Sequence, residues 1–365
     1  MIVFMKLLTK EEQDMTTIED NGLNSTEGKI EVTKERVSWI KKIFKNRYNH
    51  FRAIWRMLFY FVIVIVPMRI ISLIIRSIFK SGGDSVGAEE MLSFPSILRY
   101  CVTAIILLLA AWIVLRWIDR RPFEVLGIHF SRRGVQDFSV GYVMGMVILM
   151  VIFSILWAFG FLQVEYIGIQ NVLLSRFWLV FFFLFVAALI EELLMRGYMF
   201  QALCEGTRIW IAILLFNVLF SLGHWNNPDY VWTSALSIFI LGLLCAVVYI
   251  KTRSLWTATG LHMAWNWTQG SVFGMKVSGI EVPHSIFKSL PIGPDVLSGG
   301  EFGGEGSLIT SFVPLIVLLI LLRIRWPKPD KKVIEAWNRY PAGWGLDPKT
   351  PDTENEAVKK KAQEN

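Results

Sequence analysis

Eight stretches of this chain are apolar over about the thickness of a bilayer, at roughly 54–76, 98–117, 138–162, 173–204, 208–225, 230–250, 254–274 and 307–323. About 20 apolar residues in a helix cross the hydrocarbon core of a membrane. Composition agrees. Of 365 residues, 54% are hydrophobic and only 18% charged, against about 25% charged in a soluble globular domain. Length alone would allow two or three soluble domains; the apolar runs predict instead an all-α, polytopic membrane helix bundle of about eight transmembrane helices over residues 54–323. The fourth run is too long for a single crossing and is expected to protrude. The seventh, "SLWTATGLHMAWNWTQGSVF", carries polar groups on one face, which suits a protein interior better than a lipid-facing wall.

The flanks are polar. Residues 1–53 form a mixed-charge arm ending in the basic cluster "KKIFKNRYNHFR", suited to anionic headgroups on the cytoplasmic side. Residues 324–365 form a Pro-containing polar tail, and 271–305, rich in Gly, Pro and Ser, reads as an extracytoplasmic loop. With the N-terminus inside, 29 of the 37 Lys and Arg fall on cytoplasmic segments and four outside; without the terminal arms the count is still eight against four. The positive-inside rule therefore places both termini in the cytoplasm. The same rule accounts for the net charge of +7 without a nucleic-acid partner. Cys101, Cys204 and Cys245 lie in or beside apolar segments with no CxxC spacing, as packing residues do. The first apolar run begins near residue 53, after a charged stretch, and does not read as a cleavable signal peptide.

Against this background "ALIEELLMRGYMF", residues 188–200, is costly. An unpaired ionisable side chain at mid-bilayer costs roughly a few kcal/mol. Glu192 and Arg196 are four apart and share a helix face, so they can pair. Glu191 is rotated by about 100° from Glu192 and needs another partner. Two of the five histidines, His224 and His262, lie within apolar segments, and Asn266 follows His262 by one turn. Glu191 precedes the turn at Thr207 by about as many residues as His224 follows it, roughly 24–26 Å of helix rise. A straight antiparallel hairpin would bring the two level. Asn217, about two turns before His224, is a further candidate for lining the same cavity. His129 and His284 fall in loops and are read as solvated. Two carboxylates, two imidazoles, an amide and a guanidinium on three apolar helices point to one shared cavity.

The spacing within this set is familiar. "EELLMR" at 191–196 is Glu-Glu-x-x-x-Arg, "FSLGH" at 220–224 is Phe-x-x-x-His and "HMAWN" at 262–266 is His-x-x-x-Asn. In this order, on separate apolar helices, they resemble the three signatures of the CPBP family, which comprises the CAAX prenyl endopeptidases and the bacteriocin-processing or abortive-infection proteins. The resemblance covers about residues 120–270, with "DRRPFEVLGIHFSRRG" similar to the loop often found before the core in bacterial members. It implies an intramembrane glutamic endopeptidase, acting without a cofactor on a membrane-associated or lipidated peptide or protein, in a bacterial plasma membrane. By position, Glu191 would be the general base that activates water and His224 would orient it. His262 and Asn266 would hold the oxyanion, with Glu192 and Arg196 in support. Two other readings stay open: a zinc protease with Glu191, His224 and His262 as ligands, although no His-Glu-x-x-His occurs, and a transporter or peptide- or ion-binding protein using the same cavity without cleavage.

Overall fold

In a computed structural model of the chain, residues 43–45, 51–79, 91–169, 174–324, 329 and 333–334 are described. Most of the N-terminal arm and of the polar tail lies outside them. Each of the eight apolar runs is helical. The helices are α1 (Ala53–Phe79), α2 (Phe94–Ile113, continued by a π turn Val114–Asp119), α3 (Arg132–Ala158), α4 (Leu174–Arg196), α5 (Tyr198–Gly206), α6 (Ile209–Gly223), α7 (Trp232–Thr252), α8 (Leu255–Trp267, continued by a π turn Thr268–Val272), the short α9 (Asp295–Ser298) and α10 (Leu308–Arg323). Among the described residues, five helical stretches are long and apolar enough to cross a membrane: Ala53–Phe79, Phe94–Asp119, Arg132–Ala158, Arg176–Gly206 and Trp232–Thr252. α6 and α10 are apolar but shorter. A 15-residue helix rises only about 22 Å, short of the ~30 Å hydrocarbon core. The chain is an all-α, multi-pass bundle in which three of the eight predicted spans are short inner or partial elements.

α8 occupies the centre. Every residue from Leu255 to Trp267 except Trp256 is buried, which explains why a segment with so many polar groups is stable among apolar helices. Its neighbour α3 approaches closely through glycines. A Cβ at Gly141 would run into the Thr257 carbonyl, one at Gly145 into the Leu261 carbonyl, and one at Gly260 of α8 into the Phe138 carbonyl. Lipid supplies no hydrophobic drive between helices, so such small-residue seams, where dispersion contacts become dense, hold membrane helices together.

Two polar devices lock the bundle at its ends. At the end predicted to be cytoplasmic, Arg56 of α1 bonds Asp119 at 2.5 Å and Glu205 of α5 at 2.5 Å, and donates from Nε to the Tyr198 hydroxyl. Arg121 also pairs with Glu205, and Tyr198 donates to Asp119 at 3.0 Å. At the opposite end the predicted 271–305 loop is a folded cap. Its strand β2 (Phe287–Pro291) pairs antiparallel with β1 (Leu162–Tyr166), in register Leu162↔Pro291 to Tyr166↔Phe287. The buried Glu305 carboxylate accepts from Trp265 Nε1 of α8 at 2.9 Å and from both the backbone and the hydroxyl of Ser278 at 2.7 Å. Apolar patterning cannot anticipate this cap, because its order comes from side chains converging across the loop.

Candidate active site

The long fourth run is two helices. Arg196 ends α4, Gly197 leaves helical geometry with ψ −142°, and α5 restarts at Tyr198. The break falls one residue after the Glu-Glu-x-x-x-Arg set, and hydrogen bonds from Gly197 N to the Leu193 carbonyl and from Gln201 N to the Gly197 carbonyl carry across it.

Glu192 is fully buried and anchors the site. Its Oε1 accepts from Arg196 NH1 at 2.9 Å, as the i,i+4 spacing predicts, and also lies 2.9 Å from His262 Nδ1 of α8. The other imidazole nitrogen of His262, Nε2, faces Glu191 Oε2 at 3.5 Å. One histidine thus sits between both carboxylates, and the two glutamates differ as their 100° separation requires. Glu192 has no exposure, whereas the Glu191 side chain is 35% exposed and opens outward. The carboxylate charges are offset locally by Arg196 and, when protonated, by His262.

Arg196 reaches past Glu192. Its NH2 donates to the Gly242 carbonyl of α7 at 2.6 Å and to Asn217 Oδ1 of α6 at 3.3 Å, while the guanidinium lies 5.1 Å from the Phe220 ring centre. Phe220 is also the spacer between the histidines, edge-on to His224 at 5.0 Å and to His262 at 5.9 Å. Asn217 is therefore part of the assembly, behind the carboxylates rather than on a cavity wall.

His224 stands at the end of α6 and caps its C-terminus, half-buried, with Nδ1 2.8 Å from the Phe220 carbonyl, and among the described residues no ion pair joins it to Glu191. The imidazole facing Glu191 is that of His262. Asn266 lies one helical turn beyond His262 and is nearly buried; among the described residues no hydrogen bond engages its carboxamide. Glu191 Oε2 and Glu192 Oε2 are buried without a hydrogen-bond partner. Orphaned acceptors of this kind mark a place for water or for a ligand's donors.

The two histidines read as solvated differ from that expectation. His129 Nε2 lies 3.3 Å from Asp137, with its side chain 12% exposed, and His284 is half-buried with φ 62°. Among the described residues no three His, Cys, Asp or Glu side chains are grouped to hold a metal ion. Of the zinc set Glu191, His224 and His262, Glu191 and His262 approach to 3.5 Å, while the described contacts of His224 are with Phe220.

Sequence reasoning missed Glu305, Gly242 and the second bond of Glu192. Only the last had a visible signal, since His262 was already a candidate partner for a glutamate.

Residues 172–268, from the start of the fourth helical run to the end of α8, match the family described as Rce1-like, type II CAAX prenyl endopeptidase Rce1-like. All seven signature residues, Phe220 included, fall within the match, whereas the similar upstream loop at residues 119–134 lies outside it. No curated protein and no solved structure matches the chain. Residues 172–268 are thus similar to the Rce1-like CAAX endopeptidases, and the chain that carries them is a multi-pass membrane helix bundle.

Proposed function

We propose that this chain is a glutamic endopeptidase that hydrolyses a peptide bond of a membrane-associated or lipidated substrate, in a bacterial plasma membrane, with Glu191 as general base. The observation that carries this reading is the pairing of a half-exposed carboxylate, Glu191, with a histidine whose other nitrogen is fixed by a fully buried one. Glu192 holds His262 Nδ1, so Nε2 is the nitrogen presented toward Glu191; a buried carboxylate orienting an imidazole is a recurrent device for fixing its tautomer. Glu191 takes a proton from water, and the hydroxide oxygen attacks the peptide carbon. With Nδ1–H donated to Glu192, it is the doubly protonated His262 that offers an Nε2–H, and this donor and the Asn266 carboxamide hold the developing oxyanion. Preorganised donors of this kind commonly supply the largest catalytic contribution. Collapse breaks the C–N bond, and the proton held by Glu191 passes to the leaving amine. His224, tied to its own helix at Nδ1, retains Nε2 to orient the water.

The test uses the full chain in liposomes with a fluorogenic farnesylated peptide ending in Cys-aliphatic-aliphatic-X, beside the unprenylated peptide. Glu191→Gln is expected to abolish cleavage of whichever peptide the wild type accepts, with substrate binding retained. Cleavage by Glu191→Gln at the wild-type rate would overturn the assignment. Activity that survives a membrane-permeant chelator supports the metal-free chemistry; loss restored by zinc would refute it.

A further inference from the structure

Resting on that reading, we propose that Asn217 and Gly242, which lie outside all three sequence signatures, are positioning residues: together they hold Arg196, and through it Glu192, so that His262 keeps its place against Glu191. The contacts form one unbroken chain. Asn217 Nδ2 donates to the Ile213 carbonyl of its own helix at 2.6 Å, which fixes the amide orientation and leaves Oδ1 as the acceptor for Arg196 NH2. The same NH2 donates to the Gly242 carbonyl, while NH1 donates to Glu192 Oε1, the oxygen that also meets His262 Nδ1. Arg196, Glu192 and Asn217 are all essentially buried, so water cannot substitute for a lost partner.

Gly242 contributes by what it lacks. A Cβ there would collide with Asn217 Oδ1 and stand 3.1 Å from the Phe220 ring and 3.3 Å from Arg196 NH2. The glycine is in the middle of α7, where its backbone needs no unusual conformation and alanine would favour the helix. Its value at this position is therefore the space it leaves for the guanidinium. Three helices, α4, α6 and α7, are thereby committed to the placement of one imidazole on a fourth.

Outer residues that orient an inner ligand or base typically change activity by about 10- to 100-fold when removed. Asn217→Ala and Gly242→Ala are each expected to lower kcat about tenfold with KM little changed, because neither touches substrate. A merely structural role would not alter the imidazole itself. With only five histidines in the chain, the full protein labelled with ¹⁵N-histidine in nanodiscs gives an assignable His262 signal. Both variants should shift the His262 ring-nitrogen resonances while leaving those of His129 unchanged. Unchanged His262 resonances in both variants would overturn the proposal, whatever happens to rate or stability. The spectrum is read without substrate, so the proposal stands or falls separately from the protease assignment, which fails instead if Glu191→Gln cleaves like the wild type.

Discussion

Glu305 accepts three hydrogen bonds inside the cap, and the consequence of removing it can be worked from the geometry. Oε1 holds the Trp265 indole, which neighbours Asn266, and Oε2 holds the amide and hydroxyl of Ser278. A hydrogen bond to a charged acceptor contributes roughly 1.5–3 kcal/mol. The three do not simply add, because the variant no longer has to desolvate a buried carboxylate. Glu305→Ala leaves two N–H donors without their acceptor, for a net loss of about 3 kcal/mol in the stability of the cap. Glu305→Gln keeps one oxygen but turns an NH2 toward a donor, and should lose about 2 kcal/mol. At 1.4 kcal/mol per factor of ten, the local opening constant rises roughly 100-fold for Ala and about 25-fold for Gln. Hydrogen exchange by mass spectrometry on peptides from 273–307, with the protein in nanodiscs, reads that constant. Wild-type protection in Glu305→Ala would refute the claim that this carboxylate holds the cap, as would Gln being more damaging than Ala.

Gly141→Leu should lower stability by about 3 kcal/mol or more, since its side chain must displace α8 backbone rather than a flexible neighbour. Unfolding in mixed SDS micelles measures this, with Gly223→Ala as the tolerant comparison, because a Cβ there meets nothing within 4 Å. Arg56→Met should cost about 3–5 kcal/mol in the same assay by stranding Asp119 beside Tyr198 and leaving Glu205 with Arg121 alone. Arg56→Lys should recover only part of that, because one ammonium cannot reproduce a fork that reaches Asp119, Glu205 and Tyr198 at once.

Helix spacing made the Glu192–Arg196 pair and the separation of the two glutamates legible, because i,i+4 geometry is local and holds within any straight turn. It failed at Gly197. The glycine in "LLMRGYMF" weakens a helix without by itself ending one, and α5 beyond it is tied to α1 through Arg56 and Glu205. His262 was a candidate throughout, but its double engagement could not be read from the sequence, since it needs α8 to lie at the bundle centre. That position follows from the glycine seam with α3, whose residues Gly141 and Gly145 look unremarkable in a hydropathy profile. The cap was missed for a related reason: its composition resembles a linker, and what distinguishes it is the burial of side chains such as Glu305 and Phe302. The legible parts of the site are those set within one helix, and the illegible parts are those set by which helices touch. This division explains why the three signatures suffice to reveal the family resemblance yet leave out Asn217 and Gly242. Those two act between α4, α6 and α7, where a side-chain amide and a missing methyl group determine where an arginine can rest.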